Sequence, residues 1–144
     1  MFIFGFFMFI LVLLIATIDR LSIVNLVDVR SLFIILGSML AVLLSTNSIK
    51  DFLYGFKSVL TNKPINDIKQ IDKCIKLFYT LDTATIIAGL ISAIISVILL
   101  LTSLDDLSTI GPATASTLFS ILYSLSISII VIRPIKYRLE KMKD

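Results

Sequence analysis

Thr83 to Ser103, TATIIAGLISAIISVILLLTS, and Ala113 to Ile132, ATASTLFSILYSLSISIIVI, decide how this sequence is read. Neither stretch contains a charged residue, and each has about the ~20 residues that a helix needs to cross ~30 Å of hydrocarbon. Between them lie Leu104-Asp105-Asp106-Leu107 and then Gly111-Pro112, a short polar connection that places Pro112 in the tolerated first turn of the next helix. The two stretches read as an antiparallel pair of membrane spans, 83–103 and 113–132.

Upstream, Phe2 to Ile18 is a further uncharged run of 17 residues, about 25 Å long as a helix. No positive residue precedes it and no small-x-small cleavage site follows it before Asp19-Arg20, so it reads as a retained span, 2–18, rather than a signal peptide. Its five Phe residues suit a helix facing lipid. A second span, 30–46, is near the lower length limit, with Arg30 able to snorkel from its edge. From Asn47 the helix is expected to continue as an amphipathic stretch with Ile49, Phe52, Leu53, Phe56 and Leu60 on one face. Asn62-Lys63-Pro64 breaks it, Asn66 is the expected N-cap of the following helix, and Ile68, Ile71, Ile75 and Phe78 line that helix. The fold class is therefore an all-α membrane protein: four transmembrane helices, with a short cytoplasmic helical hairpin at 47–80 between spans two and three, and a basic tail at 133–144.

Composition agrees. The 144 residues are 58% hydrophobic and 16% charged, far from the averages of soluble domains. With no His, no Trp and one Cys, the chain lacks the parts for zinc or haem sites, for Ser-His-Asp or Cys-His catalysis and for an internal disulfide, so an enzyme, a metal site and a cofactor are not expected. A net charge of +3 is too small to point to nucleic acid. The basic residues are instead sorted by segment: six lie in 47–80 and five in 133–144, against two in 19–30 and none in 104–112. By the positive-inside rule both termini and the middle segment are expected to be cytoplasmic, with membrane lipid meeting the basic excess.

Ionisable residues inside a span are functional by default, and no mid-span position holds one. Asp82 is expected at the cytoplasmic edge of the third span as a water-exposed helix start. What the last two spans carry is hydroxyls: Thr85, Gly89, Ser92, Ser96 and Ser103 follow one stripe, and Thr117, Ser120, Ser124 and Ser128 another. Small residues of this kind let membrane helices pack closely, and they can also line a narrow hydrated passage. Ser92, Ser96, Thr117, Ser120 and Ser124 are the candidates for an ion path. Gly37, Ser38, Gly89, Gly111, Pro112 and Tyr123 are the candidates for helix packing. Cys74, beside Lys73 and Lys76, reads as an inert filler.

Two stretches carry a family resemblance. Asp28 to Leu60, DVRSLFIILGSMLAVLLSTNSIKDFLYGFKSVL, and Leu104 to Leu139, LDDLSTIGPATASTLFSILYSLSISIIVIRPIKYRL, together resemble the MotA/TolQ/ExbB proton-channel family, and within it the flagellar stator subunits. Gly37-Ser38 stands in place of the usual Gly-Gly, and Ile110-Gly111-Pro112, Ala115, Leu118, Tyr123 and Pro134 fall in register. The resemblance implies a homo-oligomeric ring, usually a pentamer, in a bacterial inner membrane. It would surround single-span partners whose intramembrane Asp carries a proton or sodium ion, with Ser120 facing the ion path. In the third span Ser92-Ala93 stands where the family has Gly-Thr, and the cytoplasmic segment is too short for the large insertion of the flagellar members. The expected function is a subunit of an ion-conducting motor or energy-transducing complex. The alternatives are a non-conducting scaffold of the same fold and a holin-like pore.

Overall fold

A computed structural model describes residues 28–61, 67–102 and 107–143, without the side chains of 107–109. The expected span at 2–18 and the expected cap Asn66 lie outside the described residues. Within them every element is helical and no strand occurs: α1 (Val29–Ser45), α2 (Ile49–Thr61), α3 (Ile68–Thr102), α4 (Leu107–Ile127), a π-helical turn (Ser128–Ile132) and α5 (Arg133–Lys143). α3, and the run Ile110–Lys143 that joins α4, the π turn and α5, are long and apolar enough to cross a membrane. The chain thus has the character of a membrane protein.

α1 starts at an Asp N-cap. The Asp28 carboxylate accepts hydrogen bonds from the backbone N–H of Arg30 at 3.1 Å and of Ser31 at 3.5 Å, satisfying donors that a helix leaves open at its start. At its other end α1 stops instead of running on into the amphipathic stretch, as the sequence suggests. Asn47 takes a positive φ of 49°, the Ser48 N–H reaches back to Leu43 O at 3.0 Å and the Asn47 N–H to Leu44 O at 3.1 Å, the paired bonds of a Schellman stop. Asn tolerates this left-handed conformation better than most residues. α2 consequently leaves at 113° to α1.

Three further boundaries differ from expectation. α3 begins at Ile68 with Asp67 as its cap, the Asp67 carboxylate accepting from the Lys69 N–H at 3.0 Å. It then continues without a break through residues 80–83, so the second hairpin helix and the third span are one helix of 35 residues, about 52 Å long. No Gly or Pro lies between Ile68 and Ala88 to interrupt it. α4 begins at Leu107 rather than Ala113, which puts Pro112 inside the helix instead of in its first turn. The basic tail is helical. Pro134 has no N–H to give to the carbonyl four residues earlier, and the chain accommodates it with the π turn, in which the Arg133 N–H bonds to Ser128 O five residues back.

α3 and α4 run antiparallel, and α1 packs across both. Around the charged segments, and reaching into the uncharged stretches only at Leu43 and Ile132, the core is apolar: Leu43, Val59, Ile71, Cys74, Leu77, Phe78, Leu81, Ile132, Ile135 and Leu139 form one buried cluster. Phe78 is central, stacked on Phe52 with ring centroids 5.6 Å apart. A Cβ on Gly55 would come within 3.0 Å of the Phe78 ring, so glycine is what lets α2 lie this close to α3. Lys143 with Asp72 at 2.8 Å and Arg138 with Val59 O at 3.3 Å tie α5 down over this cluster.

Candidate functional site

Within the uncharged stretches the packing changes character. Every buried polar side chain among the described residues except Ser58 lies along one seam: Ser31 of α1, Thr85, Ser92 and Ser96 of α3, Ser120 and Ser124 of α4, and Ser128 of the π turn. The positions on α4 and the π turn repeat every four residues, which keeps them on one face.

Ser31 and Ser120 share a hydrogen bond at 2.6 Å, and Ser120 and Ser92 share another at 3.0 Å. Ser31 also donates to the Asp28 carboxylate at 2.7 Å, as does Ser116, which lies 3.4 Å from Ser96. The backbone N–H of Asp28 donates to the Tyr123 hydroxyl at 3.0 Å, and the Tyr123 ring stacks on Phe119. Burial disfavours charge on Asp28, but the hydroxyls of Ser116 and Ser31 and the backbone N–H groups of Ser31 and Arg30 outweigh it and hold the carboxyl below its ordinary value.

Midway, α3 and α4 approach so closely that a Cβ on Gly89 would overlap the Ser124 side chain and come within 3.1 Å of Ser120 O. At the far end Ser128 donates to the Asp82 carboxylate, which also pairs with Arg133 at 3.2 Å. The Asp82 side chain is only 15% exposed and sits mid-helix, in contrast to the water-exposed helix start expected for it. From Ser116 to Ser128 is three turns, so a carboxylate stands at each end of a hydroxyl seam about 18 Å long.

Of the residues singled out in the sequence, Ser92, Ser96, Ser120, Ser124, Gly89 and Tyr123 thus meet one another inside a single chain. Thr117 is half-buried and donates to Ala113 O at 3.0 Å, and Ser38 donates to Ile34 O at 2.8 Å, each within its own helix. Gly37, Gly111 and Pro112 are exposed, and the two glycines have open space where a Cβ would stand. Sequence reasoning missed Asp28 and Ser31. The signal was available: Asp-x-x-Ser directly before an apolar run is an N-cap pattern that turns both side chains toward the helix start.

The fold and the seam define a helical membrane protein with a hydroxyl-lined interior contact. No family model matches the chain, and no curated protein matches it.

Proposed function

We propose that the chain is a subunit of an oligomeric, ion-driven energy-transducing complex and that protons move along the seam inside each subunit. The observation that carries this reading is the pair of carboxylates, Asp28 and Asp82, each accepting a hydrogen bond from a seam hydroxyl. A hydroxyl both donates and accepts, so a row of them passes a proton on without trapping it. Asp28, kept ionised, draws cations to one mouth of the seam. Successive hydroxyls at 120, 124 and 128 are one turn, about 6 Å, apart along the helix, and because Ser124 is packed against Gly89 a proton passes between them only when α3 and α4 part to admit a water.

In this reading the protein crosses the membrane four times with both termini cytoplasmic, supported by the apolar runs and by the placement of Lys and Arg. A ring of copies would surround the single-span partner that the family resemblance implies, and that partner would be the element displaced. One charge crossing the potential supplies about 2.3 kcal/mol per 100 mV, comparable to helix-repacking energies.

A non-conducting scaffold is the second reading, favoured by the satisfaction of the seam: among the described residues no buried side-chain oxygen or nitrogen lacks a hydrogen-bond partner. Proton flux into liposomes holding the purified chain separates the two. The proposal expects flux that falls at least about tenfold in Asp82→Asn and Ser120→Leu, with helicity retained. Absence of flux from the wild type, with or without a partner span, would favour the scaffold.

A further inference from the structure

The elbow between α1 and α2 opens on a cavity of about 380 Å³ lined by Thr46, Asn47, Ser48, Asp51, Lys73, Lys76, Leu77 and Thr80. Its position is set by the Schellman stop, which swings α2 away from α1 and leaves a notch against α3. The notch sits at a defined level. Thr46 closes the apolar helix α1, and Thr80 lies just before the uncharged stretch that begins at Thr83. On the proposed four-span placement both put the cavity where hydrocarbon gives way to headgroups.

Its charge is equally defined. Lys73 and Lys76 are exposed and, among the described residues, form no ion pair. The single acid of the lining, Asp51, is engaged by the Gln70 side-chain amide at 2.7 Å. Two ammonium groups against one carboxylate leave a surplus of one positive charge, beside the amide of Asn47 and above the apolar side chain of Leu77. A ligand that fits carries one negative charge, accepts hydrogen bonds and has an apolar continuation. We infer that this elbow binds the phosphodiester headgroup of an anionic membrane phospholipid, with Lys73 and Lys76 on the phosphate and the acyl chains running down the exposed apolar flank of the bundle. Basic pockets at the membrane surface recognise such headgroups through charge, with each Lys contributing separately. A lipid held here braces the bend between α1 and α2 against α3. The site rests on the membrane placement of the chain and not on ion conduction.

Native mass spectrometry of the full chain in a non-ionic detergent tests it, with phosphatidylglycerol and phosphatidylcholine of matched acyl chains as probes. The wild type should retain phosphatidylglycerol in preference. The double variant Lys73→Glu, Lys76→Glu should lose that preference by on the order of tenfold, while Lys69→Glu, Lys141→Glu, the same charge change on exposed positions outside the cavity, should keep it. Retention by the first variant, equal loss in both, or displacement of the lipid by excess inorganic phosphate would each overturn the assignment. Because lipid retention is read and not flux, failure here leaves the ion-path proposal untouched.

Discussion

The two halves of α3 solve the same packing problem with opposite chemistry. From Ile71 to Leu81 the helix buries Ile71, Cys74, Leu77, Phe78 and Leu81, as a helix in water does. From Thr85 to Ser96 it buries Thr85, Ala88, Gly89, Ser92, Ala93 and Ser96, while Ile87, Leu90, Ile91 and Ile94 turn outward. Burial of the first kind is what removing apolar area from water drives, a force that lipid does not supply. The second half is held by close approach and interhelical hydrogen bonds, which is what remains when the surroundings are as apolar as Leu. On the proposed membrane placement one helix passes from one solvent to another.

Each half can be broken in its own way, beginning with the largest effect. Phe78→Ala removes a fully buried ring from the apolar cluster and should cost about 3–5 kcal/mol. Titration with a denaturing detergent, followed by circular dichroism, would register it. A value near zero would mean that this half is not a cored, water-facing unit. Gly89→Val pushes a side chain into Ser124 and the α4 backbone, and by the usual cost of overpacking should lose about 1–3 kcal/mol in the same titration. A neutral result would place α3 and α4 farther apart than described.

Smaller changes sharpen the contrast. Ser120→Ala deletes the hydroxyl shared by Ser31 and Ser92 yet should cost only about 0.6 kcal/mol, rising to no more than about 1.7, because such bonds are weak in membranes. The cost of Phe78→Ala should exceed it several-fold. Asp28 gives a pH signature. Its folded carboxyl lies below the ordinary value of 3.8, so the stabilisation it gives is complete above that value and is lost as pH falls through the folded one. Thermal melts between neutral and acid pH should show a decline below about pH 4 that Asp28→Asn blunts. An unchanged acid limb in the variant would remove Asp28 from the account.

Much of this contrast is legible in the sequence, because hydropathy and helical spacing are local properties. The charge-free stretches mark α3 and α4, and the four-residue repeat of Ser120, Ser124 and Ser128 marks the face that turns inward. Boundaries are less legible. Residues 80–83 carry the change from a charged to an uncharged surface, which suggests an end, but backbone helicity depends on the absence of a breaker and none is present there. Pro112 reads as a first-turn residue, whereas the helix tolerates it further in. What the seam hydroxyls face is a question of tertiary contact. The stripes point to something other than lipid, and only the arrangement of α1, α3 and α4 reveals that they face one another and that Asp28 and Asp82 close the row.

That arrangement is the central claim, and a cross-link tests it most directly. In a Cys74→Ser background, the pair Ser92→Cys and Ser120→Cys replaces two hydroxyl oxygens 3.0 Å apart with thiols. Mild oxidation in the membrane should close a disulfide within each chain, seen as a monomer on a non-reducing gel with both thiols blocked to alkylation. A ladder of covalent dimers, or two thiols that stay free, would contradict it: the seam would then face another chain, and the path would not lie inside the subunit.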